Sequence, residues 1–319
     1  MDLLPQWKKT IEQSSERDLC REKTVVCSEL PERCFVITVD VDSWASLLRF
    51  YGVEHDRSEA DFRAKDESGT LRLVNLFEKH GILVTFFVPG EVARSHPDMV
   101  RLLCRRGHEV ACHGLMHLKN ECLLERVTQE EHIRKATQII KEITGIKPVG
   151  FRAPCLRANK DTIALLSENG YLYDSSTIPT FIPGYYGNLD LRFKPYWWPL
   201  DSPVDENRET FLEIPVSVNP LMLVPLSAAW LRNLGGRWVR FGIKMNFLLH
   251  NPVVLYVHPR DVLPLPKVRG IPWHLYRNTG SATLEILDKV ISYAKTLGAT
   301  FLKATDLANA LHESEEEVS

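Results

Sequence analysis

The sequence predicts an α/β protein whose parallel βα units close into a distorted (β/α)7-8 barrel, and three observations lead there. Short apolar, β-branched runs alternate with amphipathic segments of helical period along most of the chain. The 319 residues hold seven or eight such units, which favours a closed barrel, although spacing alone leaves a doubly wound open sheet as the alternative. The chemistry-bearing polar residues fall at the C-terminal ends of the apolar runs, where a βα barrel builds its active-site rim.

In chain order, CFVITVD (Cys34–Asp40) is the first strand, and GTLRLVNLFEKHG is an amphipathic helix closed by Gly81. ILVTFFVPG is a second strand, stopped by Pro89 and Gly90. HPDMVRLLCRRG reads as helix and HEVACHG as strand. TQEEHIRKATQIIKEITG reads as helix, with a capping box of Thr128 and Glu131. PVGFRAP is strand and NKDTIALLSENG helix. YLYDSS, FLEIPVS and VVLYVHP follow as strands, then the helix SATLEILDKVISYAKTLG and a last short strand in ATFLKATD. Residues 1–32 read as a peripheral N-terminal arm. Residues 33–319 read as the barrel, with rim insertions at about 180–207 and 219–252.

Composition excludes several classes. A formal net charge of −2 gives no surface for nucleic acid. Seven cysteines, odd in number and without CxxC pairs, do not read as a disulfide framework. The N-terminal stretch is too charged for a signal peptide, so the expected location is cytoplasmic, with reduced thiols. No apolar run reaches the roughly 18 residues that a membrane span needs.

The stretch ACHGLMH sets His113 and His117 four positions apart, a little over one helical turn, so both imidazoles could face a single ion. Asp40 and Asp42 follow the first strand, Arg152 the fourth, Asp174 the fifth and His258 the last strongly apolar one. Taken singly, the aspartates read as turn caps, Arg152 as a surface ion pair and His258 before Pro259 as a turn residue. A barrel rim would bring them all to one cavity, and that convergence favours a metal site. Cys112 beside His113 should point away from the rim and reads as a buried thiol, not a fourth ligand.

The ordered motifs TVDVD, HGLMH, RAP, YDSS and YVHP closely resemble the polysaccharide deacetylase family, the NodB-homology group of metal-dependent carbohydrate N-deacetylases. The resemblance runs from about Cys34 to Asp306 and is weaker between Pro179 and Asn251. It implies a divalent metal, zinc first, with Fe2+, Co2+ or Mn2+ as alternatives, held by one aspartate and two histidines. Val41 separates Asp40 from Asp42, whereas many members carry adjacent aspartates; this resembles the branch of cytoplasm-facing deacetylases and ring-opening amidohydrolases. In that branch the first aspartate is the base, so the resemblance assigns Asp40 as base and Asp42, His113 and His117 as ligands. It further implies Arg152 orienting Asp40, His258 as the acid that protonates the leaving amine, and Asp174 as the partner of the second ring nitrogen of His258. Gly114 stands where the family commonly has Ser or Thr.

The expected reaction is hydrolytic N-deacetylation of an amino sugar. Opening of a cyclic amide or ureide is the alternative within hydrolases. A non-haem Fe(II) oxygenase also uses two histidines and a carboxylate, but it expects a double-stranded β architecture and gives Asp40 and His258 no task. The aromatic insertion with PGYYG and PYWWPLDSP suits sugar stacking or a packed cap. The segment 219–252 mixes apolar residues with Arg232, Arg237, Arg240 and Lys244, which suits either an anionic membrane surface or packing on the barrel flank. The expected partner is an N-acylated sugar, lipid-linked at the inner membrane face in the first of these cases.

Overall fold

The computed structural model describes residues 30–53, 59–180, 192–199 and 210–316. In chain order it runs β1 (Cys34–Asp40), α1 (Trp44–Phe50), α2 (Glu59–His80), β2 (Thr85–Val88), α3 (Gly90–Ser95), α4 (Pro97–Arg105), β3 (Glu109–Cys112), α5 (Arg126–Thr144), β4 (Gly150–Phe151), α6 (Lys160–Glu168) and β5 (Tyr173–Asp174). There follow β6 (Tyr196–Pro199), β7 (Thr210–Glu213), β8 (Val218–Asn219), β9 (Val224–Pro225), α7 (Ala228–Leu234), α8 (Gly236–Leu248), β10 (Val253–Val257), α9 (Ser281–Thr296), β11 (Thr300–Leu302) and α10 (Ala304–Glu316).

Every residue of β1 is buried, as expected of a parallel strand covered on both faces. Its two faces do different work. Phe35, Ile37, Val39 and Val41 point outward into the main core with Leu73 and Phe77 of α2, Ile140 of α5 and Val290 of α9. Cys34 and Val36 point inward, into a smaller cluster with Phe87, Tyr173, Leu212 and Val254. Leu307 and Ala308 of α10 belong to that inner cluster. The alternation puts Asp40 and Asp42 on the inward face, at the end opposite to α10.

The sheet order is β10-β1-β2-β3-β4-β5-β7-β6, with β11 added to β1. All pairings are parallel except β6 on β7. The sheet curls until its ends approach: Val216 N–H donates to Thr177 O at 2.9 Å, and Ser217 N–H to Val254 O at 2.9 Å, next to β10. The result is a distorted βα barrel, with β8 and β9 forming a separate hairpin.

Two local expectations are corrected. The Thr128–Glu131 capping box does not form, because α5 begins at Arg126 and the Thr128 N–H already donates to Glu125 O at 2.9 Å. Helix α2 starts at Glu59 and not at Gly69, because its polar first turns are good helix formers that carry no apolar period.

Of the aromatic insertion, residues 181–191 and 200–209 lie outside the described residues. Trp197 stands edge-on to His312 of α10 at 4.7 Å, and Trp198 packs on the main core, so these two rings are packing elements. Helices α7 and α8 lie on the barrel flank through Leu231, Val239, Ile243 and Phe247. Among the described residues, no helix is long and apolar enough to cross a membrane.

Candidate metal centre

The inward end of β1 carries the first two acidic groups. Asp40 and Asp42 are 4% and 6% exposed, so each needs a partner. For Asp40 it is Arg152 just past β4, whose Nη1 donates to Asp40 Oδ1 at 2.7 Å and to Thr38 Oγ1 at 2.8 Å. The remaining guanidinium nitrogens donate to Ser175 O and Ser175 Oγ, each at 2.8 Å, and Cζ lies 4.3 Å from the centroid of the Phe87 ring. A fully buried arginine held at this many points cannot swing, and it fixes the orientation of Asp40 at the cavity.

Asp42 divides its two oxygens. Arg260 Nη1 donates to Oδ2 at 2.7 Å. Oδ1 is buried and makes no hydrogen bond among the described residues, although His113 Nε2 and His117 Nε2 stand 3.3 and 3.0 Å from it. The donor atoms of Asp42, His113 and His117 all lie within 4.8 Å of one another. His113 Nδ1 faces Arg152 O at 2.8 Å, which makes Nδ1 the protonated nitrogen and leaves the Nε2 lone pair for the centre. One carboxylate and two imidazoles around an orphaned oxygen fit a zinc-type ion. Burial pushes the Asp42 carboxyl up, but the charges of His117 and Arg260 and the two imidazole contacts outweigh it and hold it well below the ordinary carboxylate range.

The two histidines do not reach the site from one helix face. His113 follows β3, and His117 lies in a loop at φ +53°. That loop turns at Gly114, φ +73°, where an added Cβ would meet Pro154 Cγ at 2.8 Å and Glu121 Oε1 at 2.9 Å. The contact explains why Gly replaces the hydroxyl residue expected here. Glu121, 2% exposed, accepts the backbone N–H groups of Leu115, Met116 and Leu118 and pins the loop from below. Cys112 is a buried thiol pushed up to about 12 by burial, as a core cysteine should be.

His258 follows β10. Its Nε2 lies 3.6 Å from Asp42 Oδ2, and its Nδ1 lies 3.0 Å from Asp261 Oδ2. Asp261 also accepts the His258 backbone N–H at 2.9 Å, and its other oxygen accepts Arg232 Nε at 3.2 Å. Burial alone would raise the Asp261 carboxyl, but the Arg232 charge and the His258 contact hold it well below the usual range. Arg232 is 3% exposed and donates to the carbonyls of His274 and Leu275. It belongs to the site's scaffold, which corrects its grouping with the surface cations of the 219–252 segment.

Asp174 is not the partner of His258. It is fully buried on β5, its Oδ1 accepts Ser176 Oγ at 2.6 Å, and its register partner on β7 is Glu213. Burial first, and then the adjacent Glu213 charge, raise the Asp174 carboxyl well above the usual range. The role expected of Asp174 falls to Asp261, three residues after the histidine it holds.

Asp40, Asp42, His113, His117 and His258 line one cavity of about 340 Å³, whose wall also includes Tyr51 and Leu275. Sequence reasoning missed Asp261, Arg232, Arg260 and Glu121. A signal existed for Asp261 alone, as a carboxylate at capping distance from His258.

The polysaccharide deacetylase family model matches residues 61–173, a span that includes His113, His117 and Arg152. Over 151 residues the chain is 32% identical to a peptidoglycan deacetylase of Helicobacter pylori, covering 46% of this chain and 50% of that protein. Over 167 residues it is 34% identical to peptidoglycan deacetylase-like protein FGM2 of Gibberella zeae, covering 51% and 46%. The chain thus spans about half the length of the curated relatives it matches. Two solved structures share the fold: PuuE allantoinase, with TM-score 0.62 and 20% identity over 94% of this chain and 98% of that one, and a probable polysaccharide deacetylase from Pseudomonas aeruginosa PAO1, with TM-score 0.60 and 20% identity over 88% and 91%. The family match over residues 61–173 and the two relatives make the chain similar to polysaccharide deacetylases over that part of its length.

Proposed function

We propose that this chain is a metal-dependent hydrolase that removes the acetyl group from an N-acetylated amino sugar. The observation that carries the reading is the convergence of a three-ligand cluster, Asp42, His113 and His117, with Asp40 and His258 on a single cavity. Asp42, His113 and His117 would hold a divalent metal, zinc in the first place, and that group would supply Lewis acidity for the amide carbonyl and for the attacking water. Asp40, oriented by Arg152, takes the proton of the attacking water. His258 gives a proton from Nε2 to the departing amine, while Asp261, backed by Arg232, holds the opposite nitrogen and stabilises the imidazolium. The names of the curated relatives support a sugar as the acyl carrier. The parallel βα sheet removes the architectural basis for the oxygenase alternative.

The test is acetate release from N-acetylated amino sugars, both soluble and lipid-linked, by wild type and Asp40→Asn. Release that vanishes in Asp40→Asn, with metal content unchanged, is the expected result. A metal-loaded protein that releases no acetate but opens a cyclic amide would overturn the reading.

The finer part of the proposal is a lipid-linked substrate met at the inner face of a membrane. Its support is the outer side of α8 and the hairpin before it, where Leu221, Met222 and Leu248 are more than half exposed beside the exposed Arg237 and Lys244. Flotation with anionic vesicles at low salt should carry the protein upward, and recovery wholly in the bottom fraction would contradict this part.

A further inference from the structure

The acidic groups around the cavity are already matched. Asp40 is paired with Arg152, Asp42 with Arg260, and Asp261 with Arg232. Two further cations line the same cavity, Lys119 and Arg157, and among the described residues neither has a carboxylate partner. Lys119 Nζ is exposed and lies 4.9 Å from the centroid of the Phe50 ring. Arg157 donates through Nη1 to Asn120 Oδ1 at 3.2 Å, while its buried Nε has no hydrogen-bond partner among the described residues. Both sit close to the ligand cluster: the half-buried Cys155 thiol, also on the cavity wall, feels the charges of Asp42, Arg157, Arg260 and Lys119 together. A divalent metal on Asp42, His113 and His117 would add positive charge to the same space. Such a cavity attracts anions, and a planar guanidinium with a free N–H is the group that best grips a phosphoryl or carboxylate oxygen.

We infer that the substrate carries an anionic group, a phosphoryl or carboxylate substituent, next to its N-acetyl amide, and that Arg157 and Lys119 bind it. The inference rests on the deacetylase reading and sharpens its substrate class. Two uncompensated cations match a dianion, so a phosphoryl group is the better fit.

The experiment compares kcat/KM for acetate release by the zinc-loaded enzyme from N-acetylglucosamine, its 1-phosphate and its 6-phosphate, and N-acetylmuramic acid. One charge-assisted pair is expected to favour an anionic substrate over the neutral sugar by about tenfold or more at low salt, with the advantage shrinking as salt rises. Arg157→Gln and Lys119→Gln should each lower the anionic-to-neutral ratio, and Arg157→Lys should restore part of it. The phosphates and muramic acid separate the two anion chemistries. Equal kcat/KM for neutral and anionic sugars, or a ratio that the variants leave unmoved, overturns the inference while the deacetylase reading stands. If no sugar releases acetate, the deacetylase reading fails and calorimetry with inorganic phosphate decides the inference: weaker binding by Arg157→Gln than by wild type supports it, and equal binding overturns it.

Discussion

Asp40 and Asp42 are two residues apart on one strand and do different work because their partners differ. Arg152 holds Asp40 in place at the cavity, whereas Asp42 offers an orphaned oxygen to two imidazoles. Asp40→Asn should therefore lower kcat by about a hundred- to ten-thousandfold with metal content intact, read by steady-state kinetics beside elemental analysis. Asp261→Asn leaves His258 in place but removes the charge that stabilises its protonated form, and kcat should fall by about a hundredfold at nearly constant KM. The residues that converge on the cavity were legible because aspartate, histidine and arginine at successive strand ends of a βα barrel share one rim. Their supports were not. Arg232 meets Asp261 only through the packing of α7 on the flank, and in sequence its apolar neighbours make it look like a surface cation. Asp174 misled because a strand-end position gives the rim but not the neighbour that a side chain faces; on the short β5 that neighbour is Glu213.

At the level of elements, the site depends on two close approaches. Helix α2 meets the turn after His258 at Gly69, where an added Cβ would run into the Pro259 carbonyl. Gly69→Ala should push the turn away, costing about 1–3 kcal/mol in thermal unfolding and disturbing the His258–Asp261 pair. The loop from Gly114 to His117 is held by Glu121, whose carboxylate replaces the hydrogen bonds that a helix would have supplied. Glu121→Ala should loosen His117 and weaken zinc affinity by about 10–100-fold, measured by competition with a chelator. The strand and helix order was readable from periodicity because burial on two faces and on one face write different patterns. The loop geometry was not, since the four-residue histidine spacing fits a helix equally well and only a left-handed backbone at His117 distinguishes them.

Across the whole molecule, the outer layer of helices and the strands they cover enclose a second kind of buried group. His108 lies against Phe77 and Phe86, at centroid distances of 6.3 and 5.2 Å, and its Nδ1 accepts the Val84 N–H. Burial first, then the charges of Arg106 and Lys303, lower it from 6.5 to about 4. Below pH 6.5 the unfolded chain binds a proton that the folded one refuses, so this group's contribution is intact above 6.5 and lost as pH falls toward 4. The loss amounts to about 3 kcal/mol. In melts of metal-free protein, the stability advantage of wild type over His108→Gln should shrink over that window; a constant difference would contradict it. The barrel's closure brings residues separated by more than two hundred positions to one cavity, and that gathering is what a metal measurement examines. The most direct test is elemental mass spectrometry of zinc-loaded, desalted wild type beside His113→Ala. Close to one zinc per chain in wild type, lost in the variant, is the predicted result; no bound divalent metal in wild type after zinc supplementation would contradict the assignment of Asp42, His113 and His117.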